Sequence, residues 1–263
     1  MLKFISVNKG YAQVIELLRL EASAIEHTAK HLDEKSVERA VELLLNCQSK
    51  VVVTGVGKSA IIANKIADTM TSTGTVAVFV HSSDALHGSL GVIGNGDVVI
   101  ALSNSGETEE LLAILPSLKQ RSVKIISIVG NLNSTLARQS DVVLDASVDQ
   151  EACPLNLAPT TSTTVALSLG DALAMTVSNL KGWTEDDFAA NHPAGRLGKR
   201  LTLKVSDLMH ESPNPTTAAP GMLAYDALLL MENRPRQISV LPVVADGKSC
   251  GLLRLHDIVR SGL

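Results

Sequence analysis

Hydroxyls, backbone amides and a glycine crowd into one short segment, Ser103-Asn104-Ser105-Gly106-Glu107-Thr108. The segment follows the apolar run Val98–Leu102 and opens a helical pattern, so side-chain hydroxyls and free helix N–H groups converge where a phosphate would sit. Ser105 acting as an ordinary N-cap with acids in the first turn accounts for part of this pattern, but three hydroxyl-bearing residues and a glycine exceed what a cap requires. Two other segments carry related chemistry. Thr54-Gly55-Val56-Gly57-Lys58-Ser59 combines glycines that permit close backbone approach with the positive charge of Lys58, although its spacing is not that of a nucleotide P-loop. Thr160-Thr161-Ser162-Thr163-Thr164 follows Pro159 and precedes a long apolar helix pattern, where it serves equally well as a second N-cap. Scattered around these loops are His81, His87, Glu110, Glu151 and His192. Read singly, Glu110 is a first-turn acid favoured by the helix dipole, Glu151 a loop acid and His192 a local capping group before Pro193. His81 stays open as a metal ligand, a substrate contact or a surface histidine.

The elements that would position these groups are legible from periodicity. From about Ala12 to Ser49 the apolar residues recur at helical spacing in two sets, which predicts two helices. Short β-rich runs follow at Val51–Val53, Ala77–Val80, Val98–Ala101, Ile125–Val129 and Val142–Leu144, alternating with helical stretches near Ser59–Ser72, Glu107–Arg121 and Ser134–Arg138. That alternation predicts βαβ units and an α/β fold, a doubly wound parallel sheet flanked by helices. A further helix is expected from about Thr160 to Leu180, and the first domain is expected to span residues 1–200. Residues 201–263 read as a second, small β/α unit: a helix, the Pro-rich connector Ser212–Pro215, a helix at Leu223–Asn233, a strand at Ser239–Val244, a turn at Asp246-Gly247, a strand at Gly251–Leu255 and a short final helix.

Bulk properties remove several functions. The chain of 263 residues is 45% hydrophobic, 19% charged and only 2% aromatic, with a formal net charge of −4. It lacks both the basic footprint and the aromatic platforms of a nucleic-acid binder, so nucleic acid is not an expected partner. Cys47, Cys153 and Cys250 are odd in number and unpaired in spacing, as reduced thiols in a cytoplasmic protein would be. No apolar run reaches the length of a signal peptide core or the ~20 residues of a membrane span, so a soluble protein away from the membrane is expected.

Five segments together resemble the sugar isomerase (SIS) domain, and specifically the D-arabinose 5-phosphate isomerases of the KdsD, KpsF and GutQ type. They are Gly55–Ser59, His81 through Gly88, Ser103–Glu107, Glu151-Ala152-Cys153-Pro154-Leu155-Asn156-Leu157-Ala158-Pro159-Thr160 and Asn191-His192-Pro193-Ala194-Gly195-Arg196-Leu197-Gly198. The resemblance runs over essentially the whole chain. It implies interconversion of D-ribulose 5-phosphate and D-arabinose 5-phosphate, the step that feeds the eight-carbon acid Kdo of bacterial lipopolysaccharide or capsule. It places the family's lysine at Lys58, its glutamates at Glu110 and Glu151 and its histidines at His87 and His192. Sugar-phosphate contacts are implied at Ser59, Gly74, Thr75, Ser103, Asn104, Ser105, Thr108, Thr160, Thr161 and Ser162, with the stretch Ser147–Asp149 beside them. Moving a carbonyl between C2 and C1 requires a base, an enediol and redelivery of the proton, which is work for Glu110, Glu151 and His192. Lys58 is suited to stabilising the enediolate and His87 to ring opening or hydroxyl binding. The resemblance allows a zinc ion at His81, without a catalytic role, and the reaction requires no cofactor. It also implies a homo-oligomer, a dimer or tetramer, with the N-terminal helices as contacts.

The tail resembles a CBS module. Val205–His210 looks like the opening of a first unit and Pro215 through Leu263 like a second, with the material between them missing, so the tail is expected to be a single CBS-like unit. Nucleotide binding there and a packing or assembly role are both open. A rival to the enzyme is a sugar-phosphate-binding regulator, but the N-terminal helices show no basic recognition helix, and such a protein has no use for Glu110, Glu151 and His192 together. A catalytically impaired partner subunit is a third alternative.

Overall fold

Strands rich in Val and Ile with no polar alternation must be covered on both faces, and the computed structural model covers them. It describes residues 7–193, 198, 204–209, 216–232 and 239–261. β1 (Val51–Gly55), β2 (Ala77–His81), β3 (Val98–Ser103), β4 (Lys124–Val129) and β5 (Val142–Asp145) form one sheet in the order β2-β1-β3-β4-β5, with every pair parallel. Val51 and Val53 enter one apolar cluster and Val52 the other, as period-two side-chain alternation requires. The first cluster is closed by α1 (Val7–His31), α2 (Glu34–Leu45), α3 (Lys58–Ser72) and α7 (Thr161–Leu180). The second is closed by α4 (Ser82–Ala85), α5 (Glu109–Gln120) and α6 (Thr135–Gln139).

Local chemistry sets the ends of these helices. Asp33 caps α2 by accepting from the Ser36 N–H at 2.9 Å. α5 begins two residues later than the periodicity indicates, because Glu107 is used elsewhere: its carboxylate accepts from the Thr135 N–H at 2.7 Å and so binds the start of α6. α8 (Glu185–Asn191) is not among the expected elements, although a capping box between Thr184 and Asp187 defines its start. α3 and α7 approach closely at Gly170, where a Cβ would overlap the Ile66 side chain, and Lys65 Nζ meets Asp171 Oδ1 at 2.6 Å beside that contact. At the amino end of β3 the buried carboxylate of Asp97 accepts from Lys50 Nζ at 2.9 Å and from the Gly94 N–H at 2.8 Å.

The chain divides into two units, Met1–Thr202 and Leu203–Leu263. In the second, α9 (Val205–Leu208) comes first, and α10 (Ala224–Glu232), β6 (Val240–Ala245), β7 (Lys248–Arg254) and α11 (Leu255–Arg260) surround a small core of Ala218, Ala227, Met231, Leu241 and Ile258. β6 and β7 pair antiparallel through a turn in which Asp246 and Gly247 both take positive φ, the geometry of a tight hairpin. The expected Ser212–Pro215 connector and residues 194–197 of the His192-Pro193-Ala194 segment lie outside the described residues. Cys47, Cys153 and Cys250 are all free. Among the described residues no helix is long and apolar enough to cross a membrane.

Candidate active site

A parallel sheet ordered β2-β1-β3 reverses its winding direction between β1 and β3, and ligands bind in the crevice beyond the strand ends at such a switch point. The loops leaving those two strands are Gly55–Lys58 and Ser103–Thr108. A small cleft of about 50 Å³ lies there, lined by Ser59, Ser103, Asn104, Gly130, Ser162 and Thr163 among others.

Three elements deliver those groups. α3 starts at Lys58 behind Gly57, whose φ of 60° and ψ of −126° suit glycine alone and which provides no side-chain cap. The first N–H groups of α3 are therefore uncapped by a side chain, and Ser59 of that first turn lines the cleft. After β3, Ser103 Oγ accepts from the Gly106 N–H at 3.0 Å and shares a hydrogen bond of 2.9 Å with Thr108 Oγ1. Ser105 Oγ accepts from the Glu107 N–H at 3.2 Å, so it organises the loop rather than capping α5, whose N-cap is Thr108. Gly106 takes a φ of +66° directly over Ser134. The third element, α7, brings Ser162 and Thr163 through its first turn. The Thr160 cluster does not cap that helix with its hydroxyls, because Thr160 makes no side-chain cap. Glu151 does so instead, accepting from the Thr160 N–H at 2.8 Å and from the Ser162 N–H at 3.1 Å. Burial works to raise the Glu151 carboxyl, but the Ser162 hydroxyl, the two N–H groups and the Thr160 hydroxyl outweigh it and hold the group below its ordinary value.

The other expected site residues fall in two places. Lys58 is exposed on the first turn of α3 and Glu110 half-buried on the first turn of α5. Neither meets a hydrogen-bonding or ionic partner among the described residues. His87 is exposed just past α4, which follows the carboxyl end of β2, and so belongs to the same end of the sheet. Thr161 is buried, with its hydroxyl unpartnered. Gly74 and Thr75 lie at the other end, immediately before β2. Thr75 Oγ1 accepts from Lys181 Nζ at 2.9 Å, and Gly74 packs against Trp183 so closely that a Cβ there would overlap the indole. His192 belongs with them: its ring stacks on Phe188 at 4.0 Å, its Nδ1 donates to the Phe188 carbonyl at 2.8 Å, and the neighbouring Asn191 donates to the Thr71 carbonyl at 3.4 Å. The five residues of β2 separate the two groups by about 16 Å at ~3.3 Å per residue. Within one chain the fold therefore does not bring Gly74, Thr75 and His192 to the cleft.

His81 ends β2 and acts as the N-cap of α4, its Nδ1 accepting from the Ser83 N–H at 3.3 Å, with Phe79 edge-on at 6.2 Å. Among the described residues no group of three or more His, Cys, Asp or Glu side chains gathers to hold a metal. His81 is thus a single donor among the described residues. Sequence reasoning passed over the loop after β4, where Gly130 forms part of the cleft and its N–H donates to the Asn104 carbonyl at 2.9 Å. The signal was available in Gly130-Asn131-Leu132-Asn133-Ser134, a glycine- and amide-rich run directly behind a strand.

Residues 44–176 match the SIS domain family and residues 205–263 the CBS domain family. The arabinose 5-phosphate isomerase KdsD of Pseudomonas aeruginosa is 45% identical over 242 residues, covering 92% of this chain and 74% of its own length. KdsD of Salmonella typhi is 37% identical over an alignment of 314 residues that covers 94% of each chain, so the relative carries a stretch with no counterpart among these 263 residues. A solved protein from Escherichia coli CFT073 in complex with arabinose 5-phosphate is 42% identical, with a TM-score of 0.69, covering 72% of this chain and all of its own. With that degree of identity over nearly its full length, the chain belongs to the SIS-domain family of the KdsD and KpsF arabinose 5-phosphate isomerases.

Proposed function

We propose that this chain is an isomerase that interconverts D-ribulose 5-phosphate and D-arabinose 5-phosphate through an enediol. The observation that carries the reading is the cleft at the β1/β3 switch point, where hydroxyls of the Ser103–Thr108 loop and the N-termini of α3 and α7 meet, in a chain so similar to KdsD. The phosphate sits against that loop, favoured by the positive ends of two long helices. A base removes the proton from C1 of the open-chain ketose while the C2 oxygen gains one, giving the 1,2-enediol. Delivery of a proton to C2 and loss of one from the C1 hydroxyl then complete the aldose. Glu110, on the first turn of α5 and without a competing partner, is the proton carrier this chain supplies to its own cleft. Lys58 stabilises the enediolate from the first turn of α3, and His87 assists opening of the furanose form of the product.

His192, Gly74 and Thr75, at the far end of the sheet, serve the cleft of a neighbouring copy in a homo-oligomer. The reaction draws on side chains alone and needs no metal. The enzyme acts in the cytoplasm, supplies Kdo for lipopolysaccharide or capsule, and uses its single CBS-like tail for packing and assembly.

The test is a coupled assay for arabinose 5-phosphate formed by the purified full chain from ribulose 5-phosphate, with Lys58→Ala alongside. Turnover is expected in the parent, with kcat lower by about 10²–10³-fold in the variant, as for loss of a charge-stabilising donor. Tight binding of the sugar phosphate with no turnover would instead identify a regulatory binder.

A further inference from the structure

Glu151 stands nine residues before Thr160, the N-cap of α7, and both oxygens of its carboxylate are engaged with the start of that helix. Oε2 takes the Thr160 N–H at 2.8 Å, the Thr160 hydroxyl at 3.2 Å and the Ser162 N–H at 3.1 Å, while Oε1 takes the Ser162 hydroxyl. Each carboxylate oxygen has about two lone-pair sites, so three donors crowd Oε2 while Oε1 keeps one site open. Its main chain is fixed as well: the Glu151 N–H donates to Asn156 Oδ1 at 2.7 Å. Asn156 is itself held at a φ of +53°, its N–H donating to the Cys153 carbonyl at 2.8 Å. Ser162 and Thr163 line the cleft, and Glu151 stands behind them.

We infer that Glu151 is a positioning residue: braced by Asn156, it holds Ser162 and the first turn of α7 in place against the phosphate, and the proton travels on another group. A proton on Oε2 would displace a donor and loosen the cap of α7, and a proton on the open site of Oε1 would neutralise the charge that holds all four donors. The depressed proton affinity of the carboxyl agrees with this arrangement, since an ionised cap also faces the positive end of a 20-residue helix. The inference rests on reading the cleft as the sugar-phosphate site.

A double-mutant cycle of Glu151→Gln and Ser162→Ala tests it, read as kcat/KM for the isomerisation across pH and, separately, as affinity for inorganic phosphate. A brace predicts that Glu151→Gln lowers kcat/KM by about 10²-fold, the scale of a small misplacement, and weakens phosphate binding. The acidic limb of the pH profile stays where it is, and the double variant is no worse than the poorer single variant by more than about twofold. Loss of that limb, unchanged phosphate affinity, or independent multiplying effects of the two substitutions would overturn the inference. A parent that forms no arabinose 5-phosphate overturns the isomerase reading instead, and the phosphate cycle alone then decides the brace. Should Glu151→Gln fail to fold, Asn156→Gly, which keeps the positive φ and removes the acceptor, is expected to weaken phosphate binding, and Asn156→Asp to retain it. Equal behaviour of those two variants would overturn the brace.

Discussion

Replacing Gly106 by alanine isolates the packing on which the phosphate loop is built. Gly106 sits at a φ of +66°, and an added Cβ would overlap Oγ and Cβ of Ser134, which is fully buried. Ser134 cannot move freely, because its Oγ caps α6 by accepting from the Ala137 N–H at 3.3 Å. The conformational cost alone is about 1–2 kcal/mol, and overpacking with damage to the cap brings the expected loss to about 3–5 kcal/mol. Gly182 provides the control, since it has a similar φ of +70° with nothing within 4 Å of its would-be Cβ. Gly182→Ala should therefore cost only the conformational term of about 1–2 kcal/mol. For a unit of this size each kcal/mol moves the midpoint by roughly 2–4 °C, so a difference of about 1–4 kcal/mol should separate the variants by roughly 2–16 °C in thermal unfolding. Phosphate affinity should fall in Gly106→Ala and not in Gly182→Ala. Equal midpoints for the two variants would refute the claim that contact with Ser134, rather than backbone strain, dictates glycine at this position.

Gly170→Ala should destabilise the first unit by about 1–3 kcal/mol through overlap with Ile66, and Ile66→Val in the same chain should recover part of that loss by removing the Cδ1 methyl; denaturant unfolding of the two single variants and the double variant checks it, and simple additivity would contradict it. Asp97→Asn should lower stability at pH 7 by about 2–3 kcal/mol, less than for a fully buried pair because the Lys50 side chain is 23% exposed. Burial tends to raise the Asp97 carboxyl, but Lys50 and the Gly94 N–H hold it below its ordinary value, so its contribution is complete above the unfolded value of about 3.9 and fades as pH falls through the folded one. The gap between parent and variant should accordingly be constant from neutrality down to about pH 4 and close below it; a gap unchanged at pH 3 would show that the ion pair is not its source.

The sheet was legible because its strands obey a global rule in local form: Val51-Val52-Val53 and Val98–Ala101 are apolar without alternation only if both faces are buried, and they are. The Ser103–Thr108 loop was legible for the same reason, since its hydroxyls are contiguous. The role of Glu151 was not, because its partners lie nine and eleven residues away across a loop that only tertiary structure closes. The capping box of α8 has Asp187 where the usual pattern has Glu or Gln, which hid it. The position of Gly74 and Thr75 could have been deduced from chain direction alone: residues just before a parallel strand lie at its amino end, away from the switch-point crevice. The resemblance grouped them with the cleft residues, and a single chain does not.

The last wall of the cleft arrives late. Thr164 of α7 donates its hydroxyl to Glu21 of α1 at 3.1 Å across 143 residues, and α7 packs on helices that precede the whole sheet. Contacts so distant in sequence form slowly, because the intervening chain must be ordered first. During synthesis at about 5–20 residues per second, all five strands are made while Ser162 and Thr163 are still absent, so the strands precede the groups that complete the anion site. Phosphate added to refolding protein should consequently leave the early phases untouched and hasten net recovery only at the step where α7 docks, which makes ligand occupancy a clock for the completion of this fold.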